Sequence, residues 1–372
     1  MRIGFFTSLY IPDTGGAEIL LDRLARTLQK RSHHVCVVAP APRRGHADTP
    51  YPIMRTLRPF SKRYVLHHAL PPLLLAHAIH RFEILHCHGE YRAAHVARTF
   101  SRLTGVPYVI RALGGGFSTI LENPELRPRA EAALAGAAGL IAQGAFLKQQ
   151  MLDFGAAPDS IETIHNGVDP DELVSSGGSP PRAAPYIFYV GGLRHVKGWD
   201  VLIKAFADVA ETVAPVQLVL AGNNQQEAEF RQLCSDLGLT KGAVDYAGLL
   251  SRQEMALQYR HALFYVCPFR KSPFSNANLE AMTAGLPVLA TAVDGNIEQI
   301  RHEREGLLVP ADDPGALAAG LKRLCCDDAF RERCAEQARQ RAQEFTWSKM
   351  VDRYEHFYNN VLRSVCEKRR KQ

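Results

Sequence analysis

Short apolar runs alternate with amphipathic stretches along the whole chain. In the first half the runs fall at 3–9, 35–39, 53–57, 84–88, 108–113, 140–143 and 161–165; in the second at 186–191, 217–221, 244–247, 263–267, 288–291 and 307–309. Most are continuously apolar, the pattern of parallel strands buried on both faces. Helical stretches such as 18–29 and 200–213 separate them, so the chain reads as repeated strand–helix units. The pattern lapses in DPDELVSSGGSPPRAAP, residues 169–185, which is rich in Pro, Gly and Ser and has no apolar period. That composition predicts a linker over 171–185, between a first domain of residues 1–170 and a second of 186–346. The expected class is α/β, with two Rossmann-like, doubly wound parallel-sheet domains. A last helix over 347–366, in the segment 347–372, carries apolar residues at 347, 350, 351, 354, 357, 358, 361 and 362, a stripe that needs a surface to cover.

The bulk numbers agree with this division. A chain of 372 residues, 46% hydrophobic and 22% charged, is globular in composition and too long for one core. The longest lipid-like stretch, 69–79, is short and interrupted by Pro71, Pro72 and His77, so no bilayer span is expected. MRIGFFTSLY reads as a first strand and not as a cleavable signal, and eight cysteines without C-x-x-C spacing read as reduced, mostly buried thiols; both point to the cytoplasm. The net charge of +6 divides into +6 over 1–170, −4 over 171–346 and +4 over 347–372, which suggests domains with different partners. Basic residues are not interleaved with aromatics along any strand pair, which argues against nucleic-acid binding.

In open parallel sheets, ligands bind beyond the carboxyl ends of the strands. Three stretches fall there. Thr14-Gly15-Gly16-Ala17-Glu18 joins the first strand to a helix; glycines let backbone N–H groups approach an anion, and the helix N-terminus adds partial positive charge. Gly191-Gly192-Leu193-Arg194-His195-Val196-Lys197-Gly198 brings two cations to a helix start, where the macrodipole favours anions. The third, SPFSNANLEAM at 272–282, puts Glu280 in the early turns of a helix. A carboxylate there either complements the helix dipole or accepts two hydrogen bonds from a vicinal diol, as offered by a sugar or a ribose.

The motifs taken in order carry a resemblance. Gly-Gly-x-Glu at 15–18, His-x-His at 86–88, Asn166-Gly167-Val168-Asp169, Gly-x-Leu-x-x-x-Lys-Gly at 191–198, Leu-Glu-Ala-Met at 279–282, Ala-Gly-Leu-Pro-Val at 284–288, Gly-Leu-Leu-Val-Pro at 306–310 and Phe-x-Trp at 345–347 run nearly end to end. The chain resembles the retaining nucleotide-sugar glycosyltransferases of family four, with GT-B architecture. That resemblance implies two facing Rossmann-like domains, the C-terminal helix crossing back to the first. It implies that Glu280 holds the ribose hydroxyls, Lys197 the donor diphosphate, and His88 lies near the donor sugar. Gly15 and Gly16 would close over the phosphates, and backbone amides around Phe274, Ser275 and Asn276 would meet sugar hydroxyls. The expected reaction moves a sugar from a nucleotide-diphosphate donor to an acceptor hydroxyl with retention, in cell-surface glycan or glycolipid assembly, with no cofactor or metal.

Three positions depart from the family pattern. Ser272 stands where a second glutamate is usual, eight residues before the ribose glutamate, and becomes the second catalytic candidate beside His88. Gly192 stands where an arginine is common, leaving Arg194 to reach the phosphate. The fifth strand ends in Arg111-Ala112-Leu113-Gly114 instead of His-Gly. Front-side transfer, in which the leaving phosphate takes the acceptor proton, needs no enzymic base and relies on holding the reactants together. The alternatives are a catalytically weakened nucleotide-sugar-binding homologue and a nucleotide-sugar epimerase.

Other constellations read as structural. Asp169-Pro170-Asp171 mimics a metal-binding D-x-D but lies in the interdomain exit, where its acids form a turn. His86 and His88 are expected to point to opposite faces of their strand and so not to share an ion, with His86 in the core. Cys325 and Cys326 are expected to pack in a late helix. The stretch 43–81 holds Arg43, Arg44, Arg55, Arg58, Lys62, Arg63 and Arg81 against only Asp48, along with His46, His67, His68, His77, His80 and an apolar run at 70–79. With the basic tail at 368–371 it suggests peripheral docking on an anionic cytoplasmic membrane face, to reach a lipid-linked acceptor. A soluble glycan or small molecule is the other expected acceptor.

Overall fold

The computed structural model describes all residues but 13–15, 43–44, 46, 58–64, 90, 113–122, 124, 175–177, 273 and 372. Gly15, Leu113 and Gly114, and Arg43, Arg44, His46, Arg58, Lys62 and Arg63 of the basic stretch, therefore lie outside the described residues. The chain divides into two compact units, Met1–His165 with Val351–Gln372, and Asn166–Met350.

In the first unit seven strands, β1 (Arg2–Thr7), β2 (His34–Pro40), β3 (Ile53–Thr56), β4 (Ile84–His88), β5 (Tyr108–Arg111), β6 (Gly139–Ala142) and β7 (Ile161–Thr163), form one sheet in the order β3-β2-β1-β4-β5-β6-β7. Every pairing is parallel. The second unit has six, β8 (Tyr186–Val190), β9 (Gln217–Ala221), β10 (Val244–Gly248), β11 (Phe264–Cys267), β12 (Val288–Thr291) and β13 (Gly306–Val309), in the order β10-β9-β8-β11-β12-β13, again all parallel. All thirteen expected strands are present, and the continuous apolar runs are buried on both faces: β4 and β11 expose nothing from end to end. Sequence order reverses direction between β1 and β4 and again between β8 and β11. Crevices for ligands open at such switch points, outside the carboxyl ends of the strands.

The last helix, Trp347–Lys371, belongs to the first unit from Val351 onward. Its apolar stripe finds its surface there: Val351, Tyr354, Phe357, Tyr358 and Val361 are buried, and a Cβ on Gly139 at the start of β6 would lie 2.6 Å from the Phe357 ring. Arg31 pairs with Asp352 at 2.6 Å on the same helix.

Three expectations need correction. Residues 171–174, placed in the linker, belong to the helix Pro170–Val174, because Leu173 is buried in the second unit's core and Glu172 pairs with Arg252. His86 and His88 share a face, as residues two apart in a strand must; their rings stack 5.6 Å apart. Cys326 and Cys366 are exposed, whereas Cys36, Cys87, Cys267 and Cys334 are buried.

His86 is fully buried, and its Nδ1 lies 2.7 Å from the Tyr358 hydroxyl. Removing that hydroxyl strands a buried polar atom, which costs about 1–3 kcal/mol. Tyr358→Phe should therefore lower the unfolding free energy by that amount, seen as a lower urea midpoint at an unchanged slope; an unchanged midpoint would show that the pair contributes nothing to holding the last helix.

Candidate functional site

In the second unit, the loops that follow β8, β11 and β12 emerge side by side. After β8 the backbone turns on glycines because it has no room for anything larger. The N–H groups of Gly191 and Gly192 both donate to Ala221 O, at 3.2 and 3.1 Å. Gly192 has φ +69°, and a Cβ on it would lie 2.6 Å from Asn223 O. The arginine of the family pattern thus has no place at 192 while β9 leaves its strand along this path. Arg194 is exposed and begins the short 3-10 turn His195–Lys197. Gly198, at φ +64°, then leads into the helix Trp199–Val213, its Cα facing Pro268 O too closely for a side chain.

Lys197 is half-buried, its Nζ 3.8 Å above the centre of the Phe269 ring. No carboxylate among the described residues pairs with it. Burial first, opposed by the buried Cys267 and helped by the charge of Arg194, lowers its pKa to about 8. A cation held this way is better stabilised in its charged form when an anion arrives.

The segment after β11 is tied on both sides. Toward the β8 loop, the Arg270 guanidinium grips Asp200 through both carboxylate oxygens at 2.7 and 2.8 Å, and its backbone N–H donates to Val196 O at 3.0 Å. Toward the β12 loop, Thr291 Oγ1 donates to Phe269 O at 2.5 Å, Ser272 N–H to Asp294 Oδ2 at 3.1 Å, and Gly295 N–H to Ser272 O at 2.8 Å. Ser272 itself is buried. Phe274 is buried against Phe345, ring centres 5.7 Å apart.

Ser275 caps the helix Asn276–Thr283, its Oγ accepting from Asn278 N–H at 3.3 Å. Its own N–H donates to Gln299 Oε1 at 3.2 Å, so this amide, offered by the sequence to a sugar hydroxyl, is engaged within the protein. Asn276 N–H, at the first helical position, has no intrahelical acceptor, and the Asn276 side chain takes a hydrogen bond from Asn166 Nδ2. One turn on, Glu280 is half-exposed and its Oε2 accepts a hydrogen bond from the hydroxyl of the buried Tyr259 at 3.1 Å, which orients the carboxylate. Behind the helix lie three fully buried amides: Asn278 Nδ2 donates to Asn296 Oδ1 at 3.0 Å and to Gln299 Oε1 at 2.9 Å, and Gln299 Nε2 to Ser275 O at 2.8 Å.

In the first unit, the paired register sets Thr7, His88 and Arg111 in one row across β1, β4 and β5. His88 is buried, and apart from the backbone of Ala17 neither ring nitrogen has a hydrogen-bond partner among the described residues. Burial and the charge of Arg111 lower its pKa to about 3, against a small opposing effect from the backbone of Ala17. It is a neutral imidazole beside the start of the helix Gly16–Lys30. Gly16 is exposed, and a Cβ there would meet nothing within 4 Å. Burial brings Arg111 down to about 10, still a cation at neutral pH, with its guanidinium on the Tyr354 hydroxyl.

The structure thus brings Arg194, Lys197, Ser272, Phe274, Ser275, Asn276 and Glu280 to the strand ends of the second unit, and His88 beside Gly16 in the first. Sequence reasoning missed the residues that hold them: Arg270, Tyr259, Asn278, Asn296 and Gln299. Polar amides set in otherwise apolar helix starts were the available signal.

Residues 14–172 match the family described as Glycosyltransferase Family 4, and residues 177–341 the family Glycosyl transferases group 1. The chain is 24% identical to an uncharacterized glycosyltransferase of Methanocaldococcus jannaschii over 97% of this chain and 99% of that one. It is 26% identical to a phosphatidyl-myo-inositol mannosyltransferase of Mycobacterium leprae over 98% of each. It is 29% identical to D-inositol 3-phosphate glycosyltransferase 1 of Catenulispora acidiphila over 76% of this chain and 73% of that one. Among solved structures, it superposes on Anabaena HepE in complex with UDP and glucose with TM-score 0.78 at 21% identity, covering 97% and 100% of the two chains. Sucrose-phosphate synthase from Thermosynechococcus elongatus gives TM-score 0.80 at 20% identity, covering 98% and 100%. These superpositions show the fold, the two-domain GT-B arrangement of Rossmann-like sheets.

If Lys197 holds a diphosphate, binding depends on pH with a definite sign. An anion stabilises the protonated lysine and raises its pKa, so above about 8 binding must take up a proton. Affinity for a nucleoside diphosphate should be level below that pH and fall by up to about tenfold per unit above it, while the nucleoside shows no such slope. Lys197→Ala should remove the slope; calorimetry in buffers of different ionisation enthalpy measures the proton directly. A slope that survives in Lys197→Ala would move the effect to another group.

Proposed function

We propose that this chain, a GT-B glycosyltransferase of the family-four type, moves a sugar from a nucleotide-diphosphate donor to an acceptor hydroxyl with retention of anomeric configuration. The observation that carries the reading is the pairing of chemistries at the strand ends of the second unit. Lys197 and Arg194 offer positive charge beside a glycine turn, and Glu280, oriented by Tyr259, offers a carboxylate to a diol. A nucleoside diphosphate carries both complements, a diphosphate and a ribose. In this reading Lys197 and Arg194 take the phosphates, Glu280 the ribose hydroxyls, and Asn276 N–H a sugar hydroxyl. Phe274 walls the site and Ser272 fixes the turn by its backbone. His88, neutral and with unfilled hydrogen-bonding capacity, is assigned to the sugar, and Gly15 and Gly16 to the phosphates. No metal is needed where lysine and arginine neutralise the leaving diphosphate.

The acceptor belongs to glycolipid assembly in this proposal. Relatives named for inositol phosphate and phosphatidyl-inositol acceptors support that class. So does the helix Val65–His80, which contains no Asp, Glu, Lys or Arg and leaves Leu75 and Ile79 more than half exposed. Arg81 follows it, exposed, and the basic turn Lys368–Lys371 is tied to the same unit by Arg369 on Gly105 O. Arg55 does not contribute to that face; its guanidinium holds Pro40 O and Ile11 O, each at 3.0 Å. No helix among the described residues is long and apolar enough to cross a membrane, so the docking is peripheral.

Two measurements test this. A thermal-shift panel of UDP, GDP, ADP and their sugars should give one series that stabilises the protein, by about 2.7 kcal/mol at a hundredfold excess over the dissociation constant. Glu280→Ala should fold and lose most of that stabilisation for the matching nucleotide; retention of full affinity would sink the ribose assignment. Co-sedimentation with anionic vesicles should be strong at low salt and weaken at high salt, each exposed cation contributing about 1 kcal/mol near the surface. No binding at low salt would exclude electrostatic docking.

A further inference from the structure

We propose that Asp294 supplies the carboxylate that faces the positive charge developing on the donor sugar, and that the backbone of Ser272 holds it there. The inference rests on the glycosyl-transfer reading and adds to it a residue for the step itself. In that step the bond between the anomeric carbon and the phosphate oxygen breaks, and its electron pair leaves with the diphosphate. The acceptor oxygen bonds to the anomeric carbon from the same face, and its proton passes to the departing phosphate oxygen. Positive charge spreads over the anomeric carbon and ring oxygen as the bond lengthens, and a nearby carboxylate stabilises it.

The strand ends of the second unit offer few carboxylates for this. Asp200 is held by Arg270 through both oxygens, and Asp312 lies 2.6 Å from the same guanidinium. Glu280 is turned to Tyr259 and serves the ribose. Asp294 remains. It follows β12, is half-exposed, and pairs with no lysine or arginine among the described residues. Its Oδ2 is fixed by Ser272 N–H at 3.1 Å, and the return bond from Gly295 N–H to Ser272 O at 2.8 Å closes a two-bond clasp between the loops after β11 and β12. The Asp294 backbone has φ +39°, a conformation that residues other than glycine rarely adopt, and Asn296, fully buried two residues on, anchors the turn through Thr291 O at 3.0 Å. A serine at 272 carries no charge, but its backbone places one. Asp294 as a mere turn former would not need the bond from the second loop.

Asp294→Asn keeps the shape and the hydrogen bond from Ser272 and removes the charge. Donor turnover, transfer and hydrolysis together, should fall about 100-fold or more, with nucleotide affinity within twofold of the parent. Introducing Ser272→Glu into that variant should restore at least tenfold, because it returns a carboxylate to the adjoining backbone. Turnover equal to the parent in Asp294→Asn overturns the proposal while leaving the transferase reading intact. Parallel loss of nucleotide binding and turnover, or no recovery with Ser272→Glu, also overturns it by assigning Asp294 to structure alone. A parent that turns over no donor, with or without acceptors, overturns both readings.

Discussion

The bidentate grip of Arg270 on Asp200 is what the second unit's site depends on. The two residues leave different strands, β11 and β8, and the pair fixes the distance between their loops. Because the guanidinium is planar, two parallel hydrogen bonds set orientation as well as separation. The same side chain reaches His195 O, in the turn that carries Lys197, and its backbone N–H holds Val196 O. Phe269, one residue earlier, is thereby placed beneath the Lys197 ammonium. A lysine alone on a solvated loop would sample many rotamers; this one is laid on a ring whose position the ion pair has set.

On the other side of the same segment the restraint is amide chemistry. Asn278, Asn296 and Gln299 expose nothing and bond to one another and to backbone around Ser275 and Thr291. Apolar side chains of similar size would pack, but would fix no register between the loops after β11 and β12. Asn278 Oδ1 has no partner among the described residues, but the three side-chain NH2 groups are all engaged, and in a low-dielectric interior an alternative arrangement would leave further amide groups unpaired. The network therefore works as a template for the backbone at Ser275 and for the strained backbone at Asp294.

How legible this was follows from the range of the interactions. The strands and their parallel class follow from local runs such as 84–88 and 217–221, where burial on both faces writes itself into consecutive residues. The GT-B fold was equally readable from the order of motifs. Element ends shifted by a residue or two because caps and neighbours decide them. The helix Pro170–Val174 was missed because its reason to form is distant: Leu173 enters a core, and Arg252 lies 80 residues away. Arg270 and Asp200 are 70 residues apart, and nothing near either one announces the other. Ser275 could be recognised as a helix cap, but the engagement of its N–H by Gln299 needs the fold. His86 and His88 were readable in principle, since period two alone puts them on one face.

The two units reuse one topology with opposite electrostatic habits, and burial explains the difference. In the first, His88 and Arg111 end neighbouring strands and are enclosed, so the histidine is neutral and even the arginine titrates near 10. Enclosed groups of this kind recognise by hydrogen bonding more than by long-range field, because charge is suppressed where water is absent. In the second, Arg194 is exposed and Lys197 only half-buried, and the unit around them is net negative. Other cations, such as Lys204 and Arg260, are exposed on that unit too, so what distinguishes Arg194 and Lys197 is that they sit together beside a glycine turn at the strand ends. In the proposed reading an anion is drawn to that place by the local pair and the turn, against a net acidic background, and no large positive surface is needed.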